Sequence, residues 1–201
     1  MLIFYKSLSL ALASNVVYSR DMKLSRFILK KKRVAYLLCS AIGLMLLSAC
    51  VTPTGVLHNR NFKKRDTQYR IGEPGSNWRR LYLKGADLAW INQRGDSTVL
   101  VNSQCKEAKD TPLIALTSQL LIGMTEQSIE SQTVLPWSER EALETVVTAK
   151  IDGVPRKLSI FVLKKNNCVY DIVFAAPPQF FDIEIVAYQA IRDQFDAGSK
   201  K

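Results

Sequence analysis

The chain has 201 residues, 47% of them hydrophobic and 23% charged, which is enough to build a packed core and too apolar for a disordered chain. Its net charge of +10 is confined to the start. Residues 1–49 carry 8 basic and 1 acidic side chains, residues 51–75 carry 5 and 2, and residues 76–201 carry 15 of each. The body of the chain is neutral, which argues against a nucleic-acid partner, and a single His without a dense Cys/His cluster argues against a metal site.

Residues 1–49 read as a leader. Lys30-Lys31-Lys32-Arg33 is a cationic block, residues 34–47 are almost unbroken apolar chain, and Ser48 and Ala49 are small. This is the order of a secretory signal, and its apolar run of about 14 residues is short of the roughly 20 that a spanning helix needs. Leu47-Ser48-Ala49-Cys50 resembles the lipobox of bacterial lipoproteins, which implies acylation of the Cys50 thiol and cleavage just before it. The alternative is an uncleaved anchor with an incidental Cys50. A lipoprotein leader of 49 residues is long, and Met22-Lys23-Leu24 ahead of the basic block makes a normal start. Met22 is therefore read as the true initiator, the alternative being a long n-region. Val51 follows the lipidated residue where Asp would resemble an inner-membrane retention signal, so the periplasmic face of the outer membrane is expected.

Residues 50–75 are rich in Thr, Pro, Gly and Asn and hold the basic knot Lys63-Lys64-Arg65. No apolar period runs through them, so they read as a lipidated tether that is either merely solvated or touches anionic lipid or cell wall.

Residues 76–196 read as one domain. Strands are expected at 79–84, 86–91 and 98–101, with a turn at Gly95-Asp96. Asp110-Thr111-Pro112 opens a helix, Thr111 as cap and Pro112 at the first helical position. Leu113, Leu116, Leu120 and Met124 form its apolar stripe, and Gly123 suits its C-terminal end. A strand at 128–135 should break at Pro136. Leu143, Thr145, Val147, Ala149 and Ile151 alternate into the Asp152-Gly153 turn. Strands at 158–163 and 168–174 follow, joined through Lys165-Asn166-Asn167, and are apolar on both faces, as in a doubly covered sheet. Pro177-Pro178 opens a final helix with a stripe of Phe181, Ile185, Tyr188, Ile191 and Phe195. Residues 197–201 read as a disordered tail.

The fold class is therefore α+β: an antiparallel sheet of six or seven strands covered by two helices in an α/β/α sandwich. The element order is similar to the PsbP-like fold. Lys84-Gly85-Ala86-Asp87-Leu88-Ala89 and Val162-Leu163-Lys164-Lys165-Asn166-Asn167-Cys168-Val169-Tyr170-Asp171 resemble stretches of small uncharacterised envelope lipoproteins of proteobacteria. No activity, cofactor or binding residue follows from that resemblance.

Of four cysteines, Cys39 lies in the leader and Cys50 in the lipobox. Cys105 and Cys168 remain, at two strand ends in an oxidising compartment, and are expected to pair; two free buried thiols are the alternative. No catalytic residue is assigned. His58 falls in the tether, which removes Ser-His-Asp chemistry, and no S-x-x-K or glycine-rich phosphate loop occurs in the domain. Asp87, Asp171, Glu144 and Asp182 read as structural or exposed acids, Asp171 pairing with an Arg such as Arg140. Trp78, Tyr82, Trp90 and Trp137 read mainly as core, with an interface as the alternative.

The expected function is a membrane-anchored, non-enzymatic binding or assembly module of an envelope protein complex, with no cofactor and no metal. The alternative is a small-ligand or lipid carrier with a pocket between sheet and helix lined by Phe161, Phe174 and Tyr188. A hydrolase is the third reading.

Overall fold

A computed structural model describes residues 55–94, 96–105 and 111–198. The leader, Met22, Cys39, Cys50, Gly95, Asp110 and residues 199–201 lie outside the described residues. A small sheet comes first, of β1 (Val56–His58), β2 (Asn61–Lys64) and β3 (Thr67–Arg70). The main sheet has β4 (Trp78–Leu81), β5 (Leu88–Asn92), β6 (Thr98–Cys105), β7 (Thr125–Trp137), β8 (Arg140–Ile151), β9 (Val154–Lys165) and β10 (Cys168–Ala176). Helix α1 (Leu113–Leu120) precedes β7, and helix α2 (Pro178–Arg192) follows β10.

The seven-stranded sheet runs β4-β5-β6-β10-β9-β8-β7, with every neighbouring pair antiparallel. Three successive hairpins build β7 to β10. Their two-residue turns are Ser138-Glu139, Asp152-Gly153 and Asn166-Asn167, all with positive φ at both positions. That backbone matches the right-handed twist of paired strands, and Asn, Asp and Gly adopt it most readily. The chain reaches β7, at one edge, from β6 by way of α1, and β10 returns to lie beside β6.

Two apolar layers flank the sheet. Leu158, Ile160 and Val162 of β9 face α1, where Leu113, Leu116, Leu120 and Met124 pack on Leu121, Val147 and Ala149. Phe161 and Leu163 face the opposite way, onto Tyr170, Phe174, Phe181, Tyr188 and Ile191. The expectation of an α+β sheet covered on both faces by the two helices holds. α1 ends one turn sooner than its period implied: Leu121 is its C-cap, Gly123 follows two residues later at φ +91°, and Met124 lies beyond the helix.

Four expectations need correction. Residues 56–71 are not a tether. The pairing of β1, β2 and β3 puts Leu57, Phe62 and Tyr69 on one face, and Phe62, Tyr69 and Ile71 are buried within the same core as α2. The folded domain thus begins at Val56 or before, not at residue 76. The strands are three or four residues long and interrupted by Lys63, Lys64 and Arg65, too short for an alternation to stand out. Pro136 does not break β7, which continues to Trp137. β7 pairs only with β8, and an edge strand tolerates a residue without an N–H. Pro112, not Thr111, is the N-cap of α1, and no side chain caps that end. Lys164 Nζ instead donates to the Thr111 carbonyl at 2.9 Å. Finally, the chain past α2 is not wholly tail: Asp196 bridges Arg70 through the backbone, Ala197 is buried, and Asn166 Nδ2 donates to the Gly198 carbonyl. Smaller shifts occur as well. β4 stops at Leu81 and leaves Leu83 exposed, while β6 runs on to Cys105.

Candidate functional site

The return of β10 beside β6 sets Cys105 directly opposite Cys168 in the strand register. Their Cα atoms lie 4.0 Å apart and the two residues form a disulfide closing a separation of 63 residues. The pairing reached by elimination from the sequence is present.

Close to it, the small sheet meets the main one around Asp87. Lys64 Nζ donates to Asp87 Oδ1 at 2.7 Å and to the Ser103 carbonyl at 2.6 Å. Ser103 Oγ and the Tyr69 hydroxyl donate to Asp87 Oδ2. Asp87 is nearly buried, its side chain 5% exposed, and a carboxylate there needs these partners to offset lost hydration. Burial pushes the Tyr69 hydroxyl well above the usual tyrosine range, and the neighbouring Asp87 charge adds to the effect. Tyr170 is raised too, chiefly by burial, and shares a 3.2 Å hydrogen bond with Thr67.

A second acid, Glu144 of β8, is clamped on the other side of the core. Arg192 Nη1 donates to Oε1 at 2.6 Å and to Oε2 at 2.7 Å. The Tyr188 hydroxyl and Ser159 Oγ donate to Oε1 at 2.9 and 3.2 Å. Burial works against the Arg192 charge, but its bond to Asp193 and the Glu144 carboxylate hold the guanidinium above its ordinary range. Burial, then the Glu144 charge, raises Tyr188. This network fastens the end of α2 to the sheet.

Asp171 stands on the α1 side of β10. It accepts a 2.9 Å bond from Asn102 Nδ2, its partner in the strand register, and not from Arg140. Arg140 begins β8 opposite Trp137. Burial raises the Asp171 carboxyl above the usual range, and the Asn102 bond opposes that rise. Asp182 is exposed on α2.

Phe161, Phe174 and Tyr188 line neither of two clefts among the described residues. All three are fully buried, with Phe174 stacked against Tyr188 at 6.0 Å and Phe161 edge-on to Trp137 at 5.0 Å. The space between sheet and α2 is filled by their rings and by Phe195, Tyr170 and Tyr69. The two clefts lie at the surface and measure about 740 and about 590 Å³. The larger is lined by Trp137, Arg140, Glu141 and Lys164, the smaller by Asp66, Arg70, Tyr170 and Asp196 along the β3 edge. Trp90 is core, Trp78 and Trp137 pack partly buried against it, and Tyr82 is exposed. Among the described residues no group of His, Cys, Asp and Glu is arranged to hold a metal.

Lys64 stands in the sequence only within a basic knot, and Ser103, Asn102 and Arg192 carry no signal there, although each completes a buried acid. Their partners are 23, 16, 69 and 48 residues away, so no local spacing announces them.

No protein-family model matches the chain. No curated protein matches it either. Its architecture is similar to the solution structure of cyanobacterial PsbP from Synechocystis sp. PCC 6803, at 10% identity and a TM-score of 0.49 over 76% of this chain and 99% of that one. It is also similar to LpqN of Mycobacterium tuberculosis, described as involved in cell envelope biogenesis. There the identity is 13% and the TM-score 0.46, over 71% of this chain and 88% of that one. Likenesses this remote assign the chain neither a family nor a function.

Proposed function

We propose that this chain is an exported lipoprotein, acylated at Cys50 and held at the periplasmic face of the outer membrane. In this reading its folded domain is a non-enzymatic binding or assembly module of an envelope protein complex. The cross-strand Cys105–Cys168 disulfide supports export, since such bonds persist in oxidising compartments. One observation carries the module reading: the fold spends its buried acids on itself. Asp87 holds Lys64, Ser103 and Tyr69, Glu144 holds Arg192, Tyr188 and Ser159, and Asp171 holds Asn102. With the sheet-to-helix space filled by aromatic rings, the outer surface is what the domain offers to a partner.

Two measurements test this. Cys50→Ser should release the protein from membranes or leave the precursor uncleaved, read by fractionation and intact mass. Normal processing with unchanged membrane association would refute the anchor. Native mass spectrometry of the detergent-extracted protein should show an envelope protein bound in fixed ratio. A bound lipid or small molecule in its place would favour the carrier, and turnover in an esterase or glycosidase screen would favour the hydrolase.

A further inference from the structure

Resting on the lipid anchor just proposed, we propose that the outward face of the β1–β3 sheet docks on the anionic phospholipid surface that Cys50 enters. Five residues lie between Cys50 and Val56, where β1 begins, so six steps of the chain join them. An extended chain covers about 3.4 Å per residue, so Val56 stays within about 20 Å of the acylated cysteine. A tether running to residue 75 would have allowed about 85 Å. The folding of residues 56–71 therefore holds the start of this sheet close to the anchor.

The face is chemically suited to that position. Strand alternation turns Leu57, Phe62, Thr67 and Tyr69 inward and Val56, His58, Asn61, Lys63, Gln68 and Arg70 outward, all six of the latter exposed. The hairpin turns at opposite ends of β2 add exposed Arg60 and Arg65. Lys63 and Arg70 have no ion-pair partner among the described residues, whereas Lys64, facing in, is committed to Asp87. No carboxylate stands on the outward strand positions. The exposed acids nearby are Asp66, Glu73 and Asp196, of which Asp66 and Asp196 line the cleft at the β3 edge. Anionic headgroups attract basic residues within a Debye length of roughly 10 Å, a zone within reach of a face whose first residue is tied within about 20 Å. Val56, 68% exposed and paired with Lys63, adds an apolar side chain at the end nearest the anchor.

The test uses the mature lipidated chain in two kinds of vesicle. One is phosphatidylethanolamine with phosphatidylglycerol, the other phosphatidylcholine alone. Acylation of lysines by an amine-reactive reagent is followed by mass spectrometry. Lys63 should react at least about fivefold more slowly on the anionic vesicles, the effect of one basic residue at such a surface. Lys150 of β8 and Lys157 of β9, near the Asp152-Gly153 turn and far from the Asn166-Asn167 turn, should react alike on both. Arg65→Gln with Arg70→Gln alters exposed residues only, and should weaken the docked state on the order of twenty-five-fold, releasing Lys63. Equal Lys63 labelling on both vesicles, with Cys50 shown by mass to be acylated, would overturn the docking and leave the anchor standing. So would full protection in the double variant, or protection by purified peptidoglycan but not by vesicles. A mature chain without acyl mass on Cys50 would overturn the anchor and the docking together.

Discussion

At the scale of single residues, the disulfide is the bond with most at stake. Closing 63 residues restricts the unfolded chain by roughly 4 kcal/mol in the loop-entropy model. Cys105→Ser and Cys168→Ser should each lower stability by about 2–5 kcal/mol, and the double variant by little more, because both changes remove one bond. Denaturant midpoints measure this, and two sites alkylated without reductant would show that the thiols are free. Asp171 makes a different claim. Its carboxyl titrates at 3.8 in a model chain and is raised by burial in the fold. The folded state therefore keeps this proton to higher pH than the unfolded chain. Stability is lost as pH rises from the unfolded value through the folded one. Asp171→Asn removes that titration, so its stability relative to the parent should rise between about pH 4 and about pH 7. A difference that does not change with pH, measured by urea unfolding at both, would show that Asp171 does not titrate differently on folding.

At the scale of elements, the contact between the small sheet and α2 has one point where no side chain fits. Gly72, just past β3, is buried, and a Cβ there would overlap the Ala190 carbonyl oxygen of α2. Backbone cannot swing aside as a long side chain can. Gly72→Ala should cost about 1–3 kcal/mol through forced displacement of the helix, read as a lower midpoint in thermal or urea unfolding. The same change at Gly75, where nothing lies within 4 Å, meets only the strain of its positive φ. Elements with long periodic patterns were legible from the sequence. β8 alternates from Leu143 onward, and α2 repeats its apolar stripe through Phe181, Tyr188 and Ile191. β1, β2 and β3 were not, because three or four residues offer at most two inward positions each.

At the scale of the whole molecule, the first 16 residues of the folded part decide whether the domain is complete. Phe62 is fully buried in the core, stacking on Tyr69 at 4.8 Å, while Tyr69 meets Tyr170 and Phe195 edge-on or tilted. Phe62→Ala should therefore cost about 3–5 kcal/mol, as truncation of a buried aromatic does. A residue in a solvated linker would change stability by less than about 0.5 kcal/mol. Cooperative unfolding measured on the two proteins separates these outcomes.

Taken by itself, the amino-acid sequence determined what depends on neighbours along the chain: the hairpin turns at Asp152-Gly153 and Asn166-Asn167, the stripes of both helices, and the α+β class that follows from them. Cysteine arithmetic added one long-range pair, Cys105 with Cys168, because only two candidates remained. Only the tertiary structure decided the rest. It set β10 between β6 and β9, drew residues 56–71 into the core, and joined Lys64 to Asp87 and Arg192 to Glu144. It also packed Phe161, Phe174 and Tyr188 into the core. The reason is physical: local preference acts over a few residues, whereas burial of a short strand, a charge or a ring is settled by partners tens of residues away, which no spacing in the chain records.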